Sequence, residues 1–205
     1  MNSLTQKDIE NRYARAARWY DFWNVVFEFF GLRRLRREFL KTARGRVLEV
    51  GIGTGRNLDF YPMHCSLLGI ELTPEMLKLA RKRAARLERS VTLIQGDAQQ
   101  LPFKKESFDT VVDTFCLCTY PNPVKALREI KRVCKRGGQI LLLEHGKSSN
   151  SFVERVQRWR EEPHYRSIGC RLLLNHEELA RKAGLRVVKS ERKLFGIFYV
   201  MRAGV

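Results

Sequence analysis

The segment VLEVGIGTGRN (47–57) is an apolar run that ends in three glycines at alternate positions, Gly51, Gly53 and Gly55. Because glycine has no Cβ, a loop of this kind lets the backbone approach a ligand closely. The dinucleotide fingerprint is G-x-G-x-x-G, whose third glycine allows close helix–strand packing below a pyrophosphate. Here that sixth position is Arg56. The loop alone therefore indicates a small-ligand site without selecting pyrophosphate as the ligand.

Two acidic residues are placed where they could hold a nucleoside beside this loop. Glu71 ends a second apolar run, CSLLGIE (65–71), and a carboxylate there can accept two hydrogen bonds from ribose hydroxyls. Asp97 follows a third run, in QGDAQQLPF (95–103), where it could accept a hydrogen bond from an adenine amino group. The glycines and the two acids together predict a site for an adenosine-containing ligand.

Strand-like and helix-like patterns alternate around these residues. Thr73-Pro74-Glu75 predicts a helix start with Thr73 as N-cap, and Gly137-Gly138 predicts the end of a later helix. Asn175 is predicted to cap a further helix, with Glu178 three residues on. The predicted strands are 46–50, 65–71, 91–96, 108–115, 139–145, 185–190 and 196–202.

This order predicts an α/β fold: a single Rossmann-like, doubly wound and mostly parallel sheet with a C-terminal antiparallel hairpin. We expect a domain at 46–205, preceded by an aromatic and basic arm at 1–45 and carrying an insert at 146–174. Ligands of open α/β sheets bind outside the carboxyl ends of the strands. Both the arm and the insert could therefore cover the site.

Taken in order, these motifs resemble the class I S-adenosylmethionine-dependent methyltransferases. The resemblance is close over residues 46–145 and is carried by VLEVGIGTG, GIELTPEML, GDAQQLPF, FDTVV and RGGQILLLEH. The nearest group contains ubiquinone/menaquinone C-methyltransferases, bacterial phospholipid N-methyltransferases and the human membrane-associated thiol methyltransferases. The resemblance implies S-adenosyl-L-methionine as cofactor and S-adenosyl-L-homocysteine as product.

The resemblance also implies roles at the methionine end of the cofactor. Gly51, Gly53 and Gly55 would let the backbone approach the methionine part, and Glu49 would help to orient it. Thr114, just past the fourth strand, would flank the same end.

At the nucleoside end, the resemblance implies that Glu71 binds the ribose and that Leu72 lies against the adenine. Asp97 would accept from the adenine amino group, and the Ala98 amide would meet the ring. Glu71 departs from the commoner Asp by one methylene group, with the same acceptor chemistry.

Three residues are candidates for the chemistry or its enclosure. His145, at the exit of the fifth strand, has a pKa range suited to a general base, although a histidine there can also serve only as a hydrogen-bonding residue. Tyr13 and Tyr20, in RYARAARWYDF (12–22), resemble paired tyrosines of an N-terminal lid, Tyr20 on the catalytic side and Tyr13 near the cofactor. Ordinary helix packing is the alternative for both tyrosines.

Charge and apolar patterning indicate the partners. The composition is that of a soluble globular protein, and the net charge of +17 favours polyanions, either nucleic acid or an anionic membrane. Aromatics beside clustered arginines suggest an interfacial contact by the arm, and the insert adds Phe152, Val156 and Trp159 at helical spacing. The arm aromatics are Trp19, Tyr20, Phe22, Trp23, Phe27, Phe29 and Phe30.

The five cysteines favour a reducing compartment. Their count is odd and no C-x-x-C pair is present, so we expect free thiols, no metal site and a cytoplasmic chain. The aromatic and basic arm suggests that this chain could attach peripherally to the inner membrane face. The apolar run Asp21 to Leu32 is too short to span a bilayer. No obligate protein partner is indicated.

The leading expectation is a methyltransferase for a membrane-associated substrate, best matched by a phosphatidylethanolamine-type phospholipid amine. A quinone C-methyltransferase and a small-molecule thiol S-methyltransferase are the alternatives, and the positive charge keeps an RNA methyltransferase among them. A cofactor-binding scaffold without activity would leave the complete set of cofactor positions unexplained.

Overall fold

One seven-stranded sheet organises the chain. The computed structural model describes residues 4–15 and 31–205. The strands are β1 (Arg46–Val50), β2 (Ser66–Glu71), β3 (Val91–Gln95), β4 (Phe108–Thr114), β5 (Cys134–His145), β6 (Arg186–Lys193) and β7 (Phe198–Gly204). Their order in the sheet is β3-β2-β1-β4-β5-β7-β6. The first five strands run parallel and β7 runs antiparallel to both its neighbours, which confirms the predicted fold class.

Helices cover both faces of the sheet. The described part of the first helix, α1, comprises residues 6–15. It is followed by α2 (Arg33–Leu40), a 3-10 turn (Leu58–Phe60), α3 (Pro74–Arg86), α4 (Pro123–Val133), α5 (Ser151–Ile168) and α6 (His176–Lys182). Asn175 caps α6 as predicted, because its side chain accepts from the Glu178 amide. Thr73 occupies the N-cap position of α3, but its side chain makes no capping hydrogen bond.

The end of α4 differs from the prediction. The helix stops at Val133, and Gly137-Gly138 lies inside β5 rather than at a helix terminus. Cys134 pairs with Phe108, whereas the next pair joins Gln139 to Thr110, so β5 carries a bulge between these pairs. The predicted end of α4 at Gly137-Gly138 was therefore wrong. Pairing of Cys134 with β4 ends the helix, and the two glycines lie in the bulge of β5.

The sheet buries a separate apolar core on each face. Leu48 and Val50 of β1 pack with α4 and α6 on one face. Val47, which precedes Leu48 and points the other way, packs with α2 and α3 on the opposite face. Because both faces are covered, the parallel strands are apolar along most of their length, the pattern from which they were predicted.

The segments outside the strand–helix alternation contact the domain. Phe39 and Leu40 of α2 are buried, so this part of the predicted arm packs into the core. The Leu4 amide of the N-terminal segment donates to the Tyr165 hydroxyl of α5 at 2.9 Å, which joins the arm to the insert. Tyr20 and the arm aromatics between positions 19 and 30 lie outside the described residues. Within 4–15 and 31–205, no helix is long and apolar enough to cross a bilayer.

Candidate active site

A cavity opens at the carboxyl ends of the parallel strands, where the strand order reverses between β1 and β4. This reversal is where open α/β sheets bind their ligands. All but two of the predicted cofactor-binding residues line the cavity: Tyr13, Glu49, Gly51, Gly53, Glu71, Leu72, Ala98 and Thr114. The structure thus brings together residues that the sequence separates by a hundred positions.

Gly55 and Asp97 lie beside the cavity without lining it. A Cβ on Gly55 would stand 2.9 Å from Leu58 Cδ1, so this glycine allows the loop to pack closely on its neighbours. Asp97 Oδ1 accepts from the Gln99 amide at 2.7 Å, which fixes the turn between β3 and the next segment. Its contact with an adenine amino group remains a prediction, supported by the position of the adjoining Ala98 in the cavity wall.

Gly51 and Gly53 have different physical reasons to be glycine. Gly51 has φ +65°, and a Cβ there would lie 2.5 Å from Cys116 Sγ, so the loop approaches the segment after β4 closely. A Cβ on Gly53 would meet nothing nearer than the Gly51 carbonyl oxygen at 4.0 Å. Since Gly53 lines the cavity, its bare backbone leaves space for a ligand where a side chain would stand.

Glu71 lines the side of the cavity that is predicted to hold the nucleoside. One carboxylate oxygen accepts from the Gly53 amide and the other from the Thr73 amide, each at 3.0 Å. A carboxylate has about four acceptor positions, so both oxygens keep capacity for hydroxyl donors. Burial raises the pKa of Glu71, while these amides act in the opposite direction.

A buried polar network forms the opposite end of the cavity. The side-chain nitrogen of Asn57 donates to Glu49 Oε1 at 2.6 Å and to Thr114 Oγ1 at 2.9 Å. The side-chain oxygen of Asn57 accepts from the Arg36 guanidinium at 2.7 Å. The Tyr61 hydroxyl donates to the other Glu49 oxygen at 2.9 Å. Burial raises the pKa of Glu49 to about 7, against the hydrogen bonds from Tyr61 and Asn57.

Several known proteins are similar to this chain in sequence or in fold. A family model described as a methyltransferase domain matches residues 48–142. A phosphatidylethanolamine N-methyltransferase of Cereibacter sphaeroides is 37% identical over 136 residues, covering 63% of this chain and 67% of that protein. A ubiquinone/menaquinone biosynthesis C-methyltransferase of Geobacter sp. (strain M21) is 33% identical over 156 residues, covering 70% and 66%.

A solved Thermotoga maritima structure agrees with them. It is described as an S-adenosylmethionine-dependent methyltransferase, possible histamine N-methyltransferase, and matches with TM-score 0.73 at 27% identity over 96% of this chain and 99% of that one. The chain belongs to the class I S-adenosylmethionine-dependent methyltransferases. It spans about two thirds of the two curated relatives above and 45% of a Saccharomyces cerevisiae mitochondrial methyltransferase.

The network around Glu49, at the end predicted to hold the methionine part, suits an amino-acid zwitterion. S-adenosylmethionine supplies an activated methyl group on a sulfonium, and its other end carries one ammonium and one carboxylate. Glu49 and Arg36 both line the cavity and bring opposite charges to the same end. Arg36 was missed by the sequence analysis, which grouped it with surface arginines. Its spacing of three and four residues from buried Phe39 and Leu40 places it on the inward stripe of α2.

The segment after β4 forms a further wall of the cavity, and we expect this wall to face the methyl acceptor. Phe115 has φ +58°, a conformation that bulky residues rarely adopt, and its amide is held by the Leu143 carbonyl at 2.9 Å. The Tyr120 hydroxyl donates to Asp113 Oδ2 at 2.9 Å, and the Cys116 amide donates to Glu144 Oε1 at 3.2 Å. Two fully buried carboxyl groups therefore fix the backbone of this wall.

The Asp113 and Glu144 carboxyl groups interact with each other. Burial is the largest cause raising the pKa of Asp113 to about 6 and that of Glu144 well above its usual range. Two buried carboxyl groups that interact cannot both ionise at low cost, so the pair favours a state in which they share one proton. Asp113 is thus a buried residue of β4 whose carboxyl group holds the neighbouring segment.

His145 does not line the cavity. Its Nε2 lies 3.2 Å from Cys170 Sγ, and its ring stacks on Phe115 with centroids 6.2 Å apart. Burial opposes protonation of His145, but the charge and hydrogen bond of Cys170 raise its pKa overall. A hydrogen bond with Cys118, followed by the effect of His145, lowers the pKa of Cys170 to about 3. The proposed base thus has a thiol partner, and its catalytic role remains a prediction.

We predict that Glu71→Ala weakens binding of S-adenosylmethionine by roughly 10- to 100-fold, because charged hydrogen bonds contribute about 1.5–3 kcal/mol each. Isothermal titration calorimetry measures the affinity, and thermal unfolding checks that the variant is folded. Glu75→Ala, an exposed acid in the first turn of α3, is the matched control and should bind like the wild type. Unchanged affinity in Glu71→Ala would remove this residue from the cofactor site.

The buried carboxyl pair predicts a pH dependence. Because the pKa values of Asp113 and Glu144 are raised in the folded state, folding stability is highest below the ordinary carboxyl pKa and falls as pH rises through the raised values. Glu144→Gln keeps the acceptor for the Cys116 amide but removes one titrating group. We expect it to lose less stability than the wild type between about pH 5 and about pH 8, by on the order of 1–3 kcal/mol.

Denaturant unfolding at several pH values measures this difference. Buried His176, whose pKa is lowered to about 4 by burial, acts in the opposite direction at acid pH in both proteins, so the comparison between them isolates the pair. Glu178→Gln alters an exposed carboxyl paired with Lys182 and should follow the wild-type curve closely at these pH values. Parallel curves for Glu144→Gln and the wild type would contradict a shared proton.

Proposed function

We propose that the chain transfers the methyl group of S-adenosylmethionine to a substrate presented at a membrane surface, with a phosphatidylethanolamine-type amine as the leading candidate. The observation that carries the proposal is an exposed apolar surface on the insert and the neighbouring hairpin turn. Similarity to the Cereibacter sphaeroides phosphatidylethanolamine N-methyltransferase supports the choice of acceptor.

The exposed surface, called here the α5 apolar face, consists of Phe152, Val156 and Trp159 of α5 with Leu194 and Phe195 of the β6–β7 turn. Phe152, Trp159 and Phe195 are 72%, 75% and 68% exposed. The two parts are adjacent, because the Phe195 carbonyl accepts from the hydroxyls of Ser148 and Ser149 just before α5. Clustered large apolar side chains on a surface mark an interaction site for a partner or a membrane.

Basic side chains accompany this face. Arg155, Arg158 and Arg160 are exposed on α5, and the Arg160 guanidinium lies 5.8 Å from the Trp159 ring centroid. Each basic residue near an anionic lipid surface contributes about 1 kcal/mol. Aromatic anchors beside arginines, in a chain of net charge +17, favour an anionic bilayer as the partner.

The cavity wall is compatible with an amine acceptor. Tyr13, Phe115 and Tyr120 line it, and aromatic faces stabilise a methylated ammonium such as the product of amine methylation. The chain's contribution to the reaction is then to align the amine with the methyl group and to exclude water. Tyr13 of α1 lines the cavity, where it would help to exclude water. This position supports the lid role expected of the arm.

A quinone C-methyltransferase is the second candidate. It is favoured by the relative from Geobacter, and a quinone would also be drawn from a membrane. The two candidates differ in the atom methylated, nitrogen or carbon, and the lipid product distinguishes them.

The activity is tested with radiolabelled S-adenosylmethionine and three acceptors in parallel: phosphatidylethanolamine vesicles, demethylated quinone in vesicles, and total tRNA. We expect label in the phosphatidylethanolamine fraction, with chromatography identifying methylated ethanolamine headgroups. Label in the quinone would replace the amine with the second candidate. Label only in tRNA would contradict the membrane proposal and assign the positive charge to nucleic acid.

Membrane contact is tested separately by flotation on phosphatidylglycerol-containing vesicles. The double variant Phe152→Ser and Trp159→Ser should lose most flotation, since it removes two exposed aromatic anchors. Met63→Ser is the matched control, because Met63 is 80% exposed and lies outside the α5 apolar face. Equal flotation of the double variant and the wild type would show that another surface binds the membrane.

A further inference from the structure

Three side chains with metal-ligand chemistry converge at the acceptor side of the fold. Cys118 lies in the segment after β4, His145 ends β5, and Cys170 follows α5. One ligand atom from each lies within 4.8 Å of the other two. Both cysteines are free thiols, so sulfur is available to a metal ion.

The geometry points to a zinc site formed by Cys118, His145 and Cys170, and we propose that the chain binds one Zn²⁺ there. Two thiolates and one imidazole form a donor set that zinc and similar borderline-soft ions prefer. Nothing in the proposed methyl transfer requires this ion, so the inference is independent of the acceptor.

The distances suit a tetrahedral ion. Zinc lies about 2.3 Å from a thiolate sulfur and about 2.0 Å from an imidazole nitrogen, which sets sulfur and nitrogen roughly 3.5 Å apart. The observed separation of Cys170 Sγ from His145 Nε2 is 3.2 Å. An ion would therefore need only a small outward movement of the two side chains.

The backbone already holds the ligands together. The Arg171 amide donates to the Cys118 carbonyl at 3.0 Å, and the Arg171 guanidinium donates to the Tyr120 carbonyl at 3.0 Å. The carbonyl of His145 accepts a hydrogen bond from the buried His176 ring at 2.8 Å, with the ring nitrogen as donor. These contacts fix all three ligand-bearing segments without using the ligand atoms, as a preorganised site requires.

His164 of α5 interacts with the Cys170 thiol and is a candidate for a fourth ligand. Coordination by His164 would close the site, which is typical of a structural zinc, whereas a water in that position would leave it open. In either case the ion would tie the insert to the segment that supplies Phe115 and Tyr120 to the cavity wall. Its expected effect is to hold the acceptor side of the cavity in place.

The first test uses the wild-type chain purified under reducing conditions. We expect elemental analysis to find one zinc ion per chain, and cobalt added to the zinc-depleted protein to give thiolate-to-cobalt charge-transfer and tetrahedral d–d absorption bands. Zinc depletion should also lower the midpoint of thermal unfolding, and zinc should restore it. These readouts need neither methyl transfer nor correct folding of a variant.

The second test uses ligand variants. Cys118→Ser and Cys170→Ser should each weaken zinc affinity by at least about 10-fold, since even the outer partners of metal ligands contribute that much. Cys65→Ser removes a buried thiol outside the cluster and should bind zinc like the wild type. The proposal is overturned if the wild type holds no zinc and cobalt gives no charge-transfer bands. It is also overturned if Cys118 and Cys170 form a disulfide in the reduced preparation.

Discussion

A buried carboxyl group at the end of the first strand is the constraint on which the site depends. Glu49 is almost fully buried, and such a group is tolerated only when its oxygens are hydrogen-bonded. Asn57 and Tyr61 supply those bonds, so the chain after the glycine loop must turn back toward β1. The hydrogen bonds to Glu49 therefore determine the path of the loop and, with it, the shape of the cavity.

The same constraint explains why the N-terminal part of the chain packs where it does. Arg36 reaches Asn57 from α2, which places a positive charge beside Glu49 in a region that excludes water. Phe39 and Leu40 on the same stripe bury against the sheet and hold that charge in position. The composition of this segment is that of a solvated basic arm, yet its helix α2 forms part of the cavity wall through Arg36.

Patterns over a few neighbouring residues were sufficient to predict which segments form strands and most of the residues that line the cavity. The β1 strand has the predicted bounds because an apolar run bordered by glycine has one plausible conformation in a parallel sheet. Glu71 and Gly53 line the cavity, as expected of residues that follow or end a strand, and their roles toward the cofactor stay predictions. The end of α4 was misplaced because pairing between Cys134 and Phe108, distant in sequence, overrides the tendency of glycine to end a helix.

The sequence could not show which residues, distant along the chain, come together in the fold. No metal site was predicted, because no C-x-x-C pair or nearby histidine accompanies Cys118 in the sequence. The structure provides both partners by folding α5 back over the sheet, so that Cys170 meets Cys118 across the segment after β4. The aromatic residues of α5 illustrate the same limit: helical spacing predicted one face, but only the packing of Gln157 and Tyr165 inward determines that Phe152 and Trp159 face outward. The insert thus has two surfaces with different chemistry: one contacts the segment after β4, and the exposed apolar one is the surface proposed to contact a membrane. The position of the first fixes the direction of the second.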